Sequence, residues 1–135
     1  MKIALVSCVS KKQLGIHKAE ELYISDWFIK AKKYIKQNYN EWYILSAKHG
    51  LIKPNDLIET YNEYLPKMTL EYRKQWAVNV FNKLKEIDNV TEIHIYAGKQ
   101  YRKYLIALLS DFKVSVPLKN LGIGKQLKWL KENTL

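Results

Sequence analysis

The chain has 135 residues, 47% apolar and 27% charged, enough for one globular domain with a real core and too little for two. Its 23 lysines and arginines outnumber 13 aspartates and glutamates, and the formal charge of +10 points to an anionic partner such as nucleic acid, nucleotide or phosphate. No apolar run reaches membrane-spanning length, and the opening MKIALVSCVSKK is too short for a signal peptide. The single cysteine excludes an internal disulfide or a cysteine-based zinc site, which fits a reducing cytoplasm.

Only Arg73 and Arg102 among the cations are arginine, the type that base and phosphate readers favour. A lysine-rich composition is therefore the competing source of the charge.

Residues 2–8 (KIALVSC) predict a first strand. A polar connection follows, with Lys11, Lys12, Gly15 and His17. Ser25 predicts the cap of a helix over 26–37, with Asp26 well placed against the helix dipole. Ile24 and Ile29 flank that cap at the spacing of a hydrophobic staple. Residues 42–46 predict the second strand, a short aromatic and branched run. It ends in Ser46-Ala47-Lys48-His49-Gly50, where a hydroxyl, a cation and an imidazole replace the apolar pattern.

Residues 47–68 have no clear periodicity and predict a long functional or anchoring loop. Thr69 predicts the cap of a helix over 70–87, whose Trp76, Ala77, Val80, Phe81, Leu84 and Ile87 recur at helical spacing. Residues 91–96 predict a third strand and 100–110 a helix. Residues 113–117 predict a fourth strand, and 123–132 the last helix.

The order βαβαβαβα predicts one α/β domain over residues 1–135. Its expected form is a three-layer α/β/α sandwich with a four-stranded parallel sheet in the order 2-1-3-4. Parallel strands would bring four polar turns to one edge, where open α/β sheets bind ligands. Those turns carry Ser7, Cys8, Ser10, Lys11 and Lys12; then Ser46, Lys48 and His49; then Lys99 and Gln100; then Gly122, Gly124 and Gln126.

The first turn can cradle an anion but lacks the glycines of a P-loop or dinucleotide fingerprint. Cys8 reads either as a nucleophile beside Lys11 and Lys12 or as a small buried hydrophobe. His49 reads as a general acid/base or as a loop anchor. His94, between Ile93 and Ile95, reads as packing or surface. The histidines have no paired spacing, so neither a metal nor another cofactor is expected. Glu59 and Glu63 flank Tyr61, a place for a water-orienting carboxylate and a stacking ring, or for a solvated loop held by aromatic anchors.

Ser7-Cys8 with Lys11 or Lys12, Leu22-Tyr23, Leu45-Ser46-Ala47-Lys48-His49-Gly50-Leu51, Tyr61, and Pro117-Leu118 with Gly122-Ile123-Gly124-Lys125-Gln126 together resemble a bacterial and phage family of unknown function. More distantly the chain is similar to the peroxide stress protein YaaA group and to uracil-DNA-glycosylase-like domains. The resemblance implies a base-binding α/β domain, in some relatives associated with modified nucleic acid. Thr60-Tyr61-Asn62 stands where the family loop carries Pro-Tyr-Asp, so any role of that acid is either lost here or passes to Glu59 or Glu63.

Two functions follow as expectations. One is a glycosylase-like hydrolase in which His49, Lys48 and Glu59 are catalytic. Ser7, Cys8, Lys11, Lys12, Ser46, Tyr61, Lys99, Gly122, Gly124 and Gln126 would then bind the ligand. The other is a non-enzymatic binder of nucleotide or DNA, with no membrane association.

Overall fold

The computed structural model describes residues 1–8 and 11–135. The part of the expected anion cradle at Val9 and Ser10 lies outside the described residues.

Strand β1 (Lys2–Ser7) is the middle of the main sheet and is buried from Ile3 onward. β3 (Glu41–Ser46) pairs with it in parallel on one side and β6 (Glu92–Tyr96) on the other. β7 (Lys113–Ser115) extends the sheet in parallel beyond β6. These four strands stand in the expected order. The sheet is nonetheless five-stranded and mixed, rather than the four-stranded parallel sheet that alternation predicts. β4 (Gly50–Ile52) folds back from β3 as an antiparallel edge strand, giving the order β4-β3-β1-β6-β7.

The cause of the difference is local. Gly50 has φ +72°, a left-handed conformation that glycine adopts without strain. The chain therefore reverses within Ala47-Lys48-His49, and Gly50 pairs with Ser46. Leu51 and Ile52 then bury their side chains.

The other irregular segments are also partly ordered. β2 (Ile16–Lys18) pairs antiparallel with β5 (Leu57–Glu59) in a separate two-stranded sheet. A short helix α1 (Ala19–Leu22) follows β2, and a 3-10 turn spans Leu65–Lys67.

The longer helices match their sequence signals. α2 (Asp26–Asn38) is capped by Ser25, whose hydroxyl accepts the Phe28 N–H at 3.1 Å. α3 (Leu70–Lys85) is capped in the same way by Thr69. α4 (Lys99–Ile106) and α5 (Ile123–Glu132) begin at Gly98 and Gly122, which supply no side-chain cap. α2 packs with α5, and α3 with α4. Right-handed crossovers place these pairs on opposite faces of the sheet. Among the described residues no helix is long and apolar enough to cross a membrane.

His94 has a more specific environment than packing or surface. Its Nδ1 lies 2.7 Å from the Tyr39 hydroxyl and its Nε2 3.1 Å from Glu92. Tyr39 continues to Tyr96 at 2.6 Å, so the ring ties β6 to the end of α2.

Candidate functional site

The chain leaves β1 for the α2–α5 layer and leaves β6 for the α3–α4 layer. The carboxyl ends of β1 and β6 therefore diverge at a topological switch point, the place where open α/β sheets form a crevice. A cleft of about 430 Å³ lies there. Ser7 and Cys8 form its floor, Lys99 and Gln100 one lip, and Ile123 and Gln126 the other. Trp27, Tyr64 and Tyr101 supply aromatic walls.

The walls are fixed from behind. The Trp27 indole N–H donates to Gln126 Oε1 at 2.8 Å, while Gln126 Nε2 donates to the Leu121 carbonyl at 2.8 Å. Gln126 thus holds α5 against the start of α2. Tyr101 stacks edge-on against Trp76 at 5.8 Å, and its hydroxyl lies 3.4 Å from Cys8 Sγ. The Arg73 guanidinium donates to Gln100 Oε1 and braces that lip. Tyr64 is 36% exposed, the most open of the three aromatic walls. A Cβ built on Gly98, Gly122 or Gly124 would meet nothing within 4 Å, so backbone lies open at both lips.

Of the expected binding residues, Ser7, Cys8, Lys99 and Gln126 meet in this cleft, with Gly122 and Gly124 beside it. Cys8 is 3% exposed and bonded to Tyr101, the setting of a packing thiol more than of a free nucleophile. Lys11 is exposed, and its carbonyl accepts the Ile24 N–H at 3.0 Å.

Ser46, Tyr61 and Lys12 have a different place. Ser46 and Tyr61 belong to a buried cluster, and the half-buried Lys12 packs on it. The Tyr61 hydroxyl lies 2.6 Å from that of Tyr23 and 2.7 Å from Ser46 Oγ. Ser46 Oγ also accepts the His49 N–H at 3.1 Å, and the Lys12 ammonium sits 4.5 Å above the Tyr61 ring. Burial first, and then the neighbouring Cys8 sulfur, push the Tyr61, Tyr23 and Tyr101 phenols well above their ordinary range. They are neutral hydrogen-bonding groups at physiological pH.

Lys48 and His49 line a second cleft, of about 370 Å³, between the β3–β4 turn and the polar face of α3. Trp76 lines this second cleft and Tyr101 the first, so their ring contact forms the partition. Burial, then the Lys48 and Lys83 cations, lower the His49 pKa from 6.5, while Glu63 opposes them. Its ring packs edge-on against Tyr61 at 5.6 Å. These contacts are those of a loop anchor as well as of an acid/base. Glu59 sits at the end of β5, exposed and in the separate two-stranded sheet. The three residues expected to be catalytic are thus not gathered around the switch-point cleft.

The sequence does not single out Trp27 or Lys119 for a site, and Arg102 stands in it only as part of a run of aromatics and cations, Tyr101-Arg102-Lys103-Tyr104. Trp27 matched the apolar face of α2, although its place in the first turn after the β1 connection was a signal. Arg102 lies one turn beyond Lys99, which puts both on one side of α4.

Comparison with known proteins adds kinship without an activity. The chain is 30% identical to "Uncharacterized protein YfjM" of Bacillus subtilis (strain 168), an alignment covering 96% of this chain and 92% of that protein. No solved structure matches it. A family model described as "Family of unknown function (DUF6884)" matches residues 3–132, which span all but the first residue of the sheet and all the cleft walls, and the chain belongs to that family.

Proposed function

We propose that this protein binds a nucleobase-bearing anionic ligand, a nucleotide or a nucleotide unit of nucleic acid, in the cleft between the ends of β1 and β6. The observation that carries the reading is the lining of that cleft: an exposed Tyr64 ring beside Trp27 and Tyr101, with Lys99 at its lip. Aromatic walls suit a base, and the ammonium suits the charge that accompanies it. The overall charge of +10 and the resemblance to base-binding α/β domains support the same reading.

The lining favours binding over hydrolysis. Cleavage of an N-glycosidic bond needs a group that activates water and help for the departing base. Among the described residues, the wall of this cleft carries no carboxylate and no imidazole.

Titration calorimetry with the common nucleosides and nucleotides tests the proposal. Binding weakened in Tyr64→Ala by about 1–3 kcal/mol, the cost of a lost stacking ring, is expected. No heat with any of them overturns it. Base release from damaged or modified DNA, lost in both His49→Ala and Lys48→Ala, would restore hydrolysis as the function.

A further inference from the structure

A smaller compartment of about 200 Å³ opens beside the aromatic cleft, at the ends of β6 and β7. The two share Trp27, Gly98, Lys99 and Gln126 as walls, so they are adjoining chambers of one site. Their chemistry differs. The larger chamber is walled by rings. The smaller one is ringed by Lys99, Arg102 and Lys119, and no carboxylate lines it among the described residues.

None of these three cations forms an ion pair among the described residues. Arg102 is held in place, since one guanidinium nitrogen donates to the Ala97 carbonyl at 3.2 Å. That uses one of its N–H groups and leaves others to receive a ligand. The chamber is smaller than the roughly 300–1,000 Å³ of a whole-ligand pocket, so it suits one group of a ligand. Three positive charges without a counter-charge suit a dianion, and a guanidinium fork matches phosphate oxygens.

We infer that the juxtaposition of Lys99, Arg102 and Lys119 around this side chamber makes it a phosphate subsite, and that the ligand is a phosphorylated nucleotide whose base lies in the aromatic cleft. The inference rests on the base-binding reading and adds the phosphate to it. Binding exchanges water and counterions for the phosphate group, with no covalent step.

The test compares the common nucleosides, their 5′-monophosphates and inorganic phosphate in calorimetric titrations of the whole protein. Monophosphates are expected to bind roughly ten- to a hundredfold more tightly than nucleosides, the worth of one charge-assisted contact. Arg102→Gln and, separately, Lys119→Ala should remove much of that gain and leave nucleoside affinity as it was. Lys119→Ala changes an exposed side chain and guards against a folding defect at Arg102.

Equal affinity for nucleoside and monophosphate overturns the phosphate subsite and leaves the base reading standing. Inorganic phosphate matching the monophosphates, with no nucleoside binding, supports the subsite and overturns the base reading. Silence from every probe overturns both. A short single-stranded oligonucleotide without terminal phosphates identifies the source. If it shows the gain and loses it in both variants, the subsite takes a chain phosphodiester. If it shows none while monophosphates do, the subsite takes a free nucleotide.

Discussion

Tyr61 illustrates how one hydroxyl can hold a site together from behind. It bridges Ser46 and Tyr23, which are 0% and 1% exposed, and Ser46 in turn fixes the His49 backbone. Tyr61→Phe keeps the ring and removes the bridge. Two buried hydroxyls then lose a partner, and the expected cost is about 1–3 kcal/mol in urea unfolding. The pH dependence gives a second reading of the same bond. Burial, then Cys8 and Tyr23, raise the folded pKa of Tyr61 above its ordinary 10.0. The unfolded chain therefore releases this phenolic proton first. The stability tied to the neutral phenol is fully present below pH 10 and is lost as pH rises beyond it. The phenyl ring of the Tyr61→Phe variant cannot ionise, so the gap between wild type and variant should narrow above pH 10; a gap that widens there contradicts the account. From the sequence, Tyr61 was legible as a ring near a site. Its distance from the cleft mouth was not, because a tyrosine that stacks on a ligand and one that closes a buried network look alike until the second strand supplies Ser46.

At the scale of elements, periodicity was informative where an element was long. The apolar stripe of α3 and the caps at Ser25 and Thr69 specified those helices, and four strands lay where branched runs predicted them. β2, β4 and β5 escaped because each is three residues long and lies in an irregular connection, whereas the equally short β7 falls within the longer branched run 113–117. β4 depends on a conformation more than on a pattern. Gly50 sits at φ +72°, where a side chain costs roughly 1–2 kcal/mol, while an added Cβ would meet Val80 only at an ordinary 3.5 Å. Gly50→Ala should therefore cost about 1–2 kcal/mol through backbone strain. The strain falls on an edge strand along which the His49 and Leu51 carbonyls accept from the Lys83 ammonium at 3.0 and 3.4 Å. Amide exchange should consequently quicken first at Leu51 and Ile52 and leave the centre of β1 protected. Uniform loss of protection across the sheet would show that β4 is not the weak edge.

For the molecule as a whole, cations gather in the turns that follow the strands. Lys11 and Lys12 follow β1, Lys48 follows β3, Lys99 and Arg102 open α4, and Lys119 and Lys125 flank the start of α5. At the amino ends the charge is mixed, with Glu41, Glu86, Asp88, Glu92 and Asp111 standing among Lys2, Lys85 and Lys113. Composition revealed the excess of cations. Only the parallel sheet explains why they collect at one edge, because every βα turn then falls on the same side. Such an asymmetry acts at a distance. It raises the local concentration of an anion at the cleft before any contact forms, and salt weakens it. Lys11 and Lys125 are exposed and outside both chambers, so they probe the field without touching the ligand. Replacing both by Gln should slow association with a monophosphate several-fold at low salt, with little effect on dissociation. Replacing Lys2 and Lys85, at the opposite end, removes the same charge and should slow it less. Stopped-flow measurements across a salt series separate the two: the difference between the pairs should fade as salt rises. Equal slowing by both pairs would mean that total charge, and not its placement by the sheet, draws the ligand in.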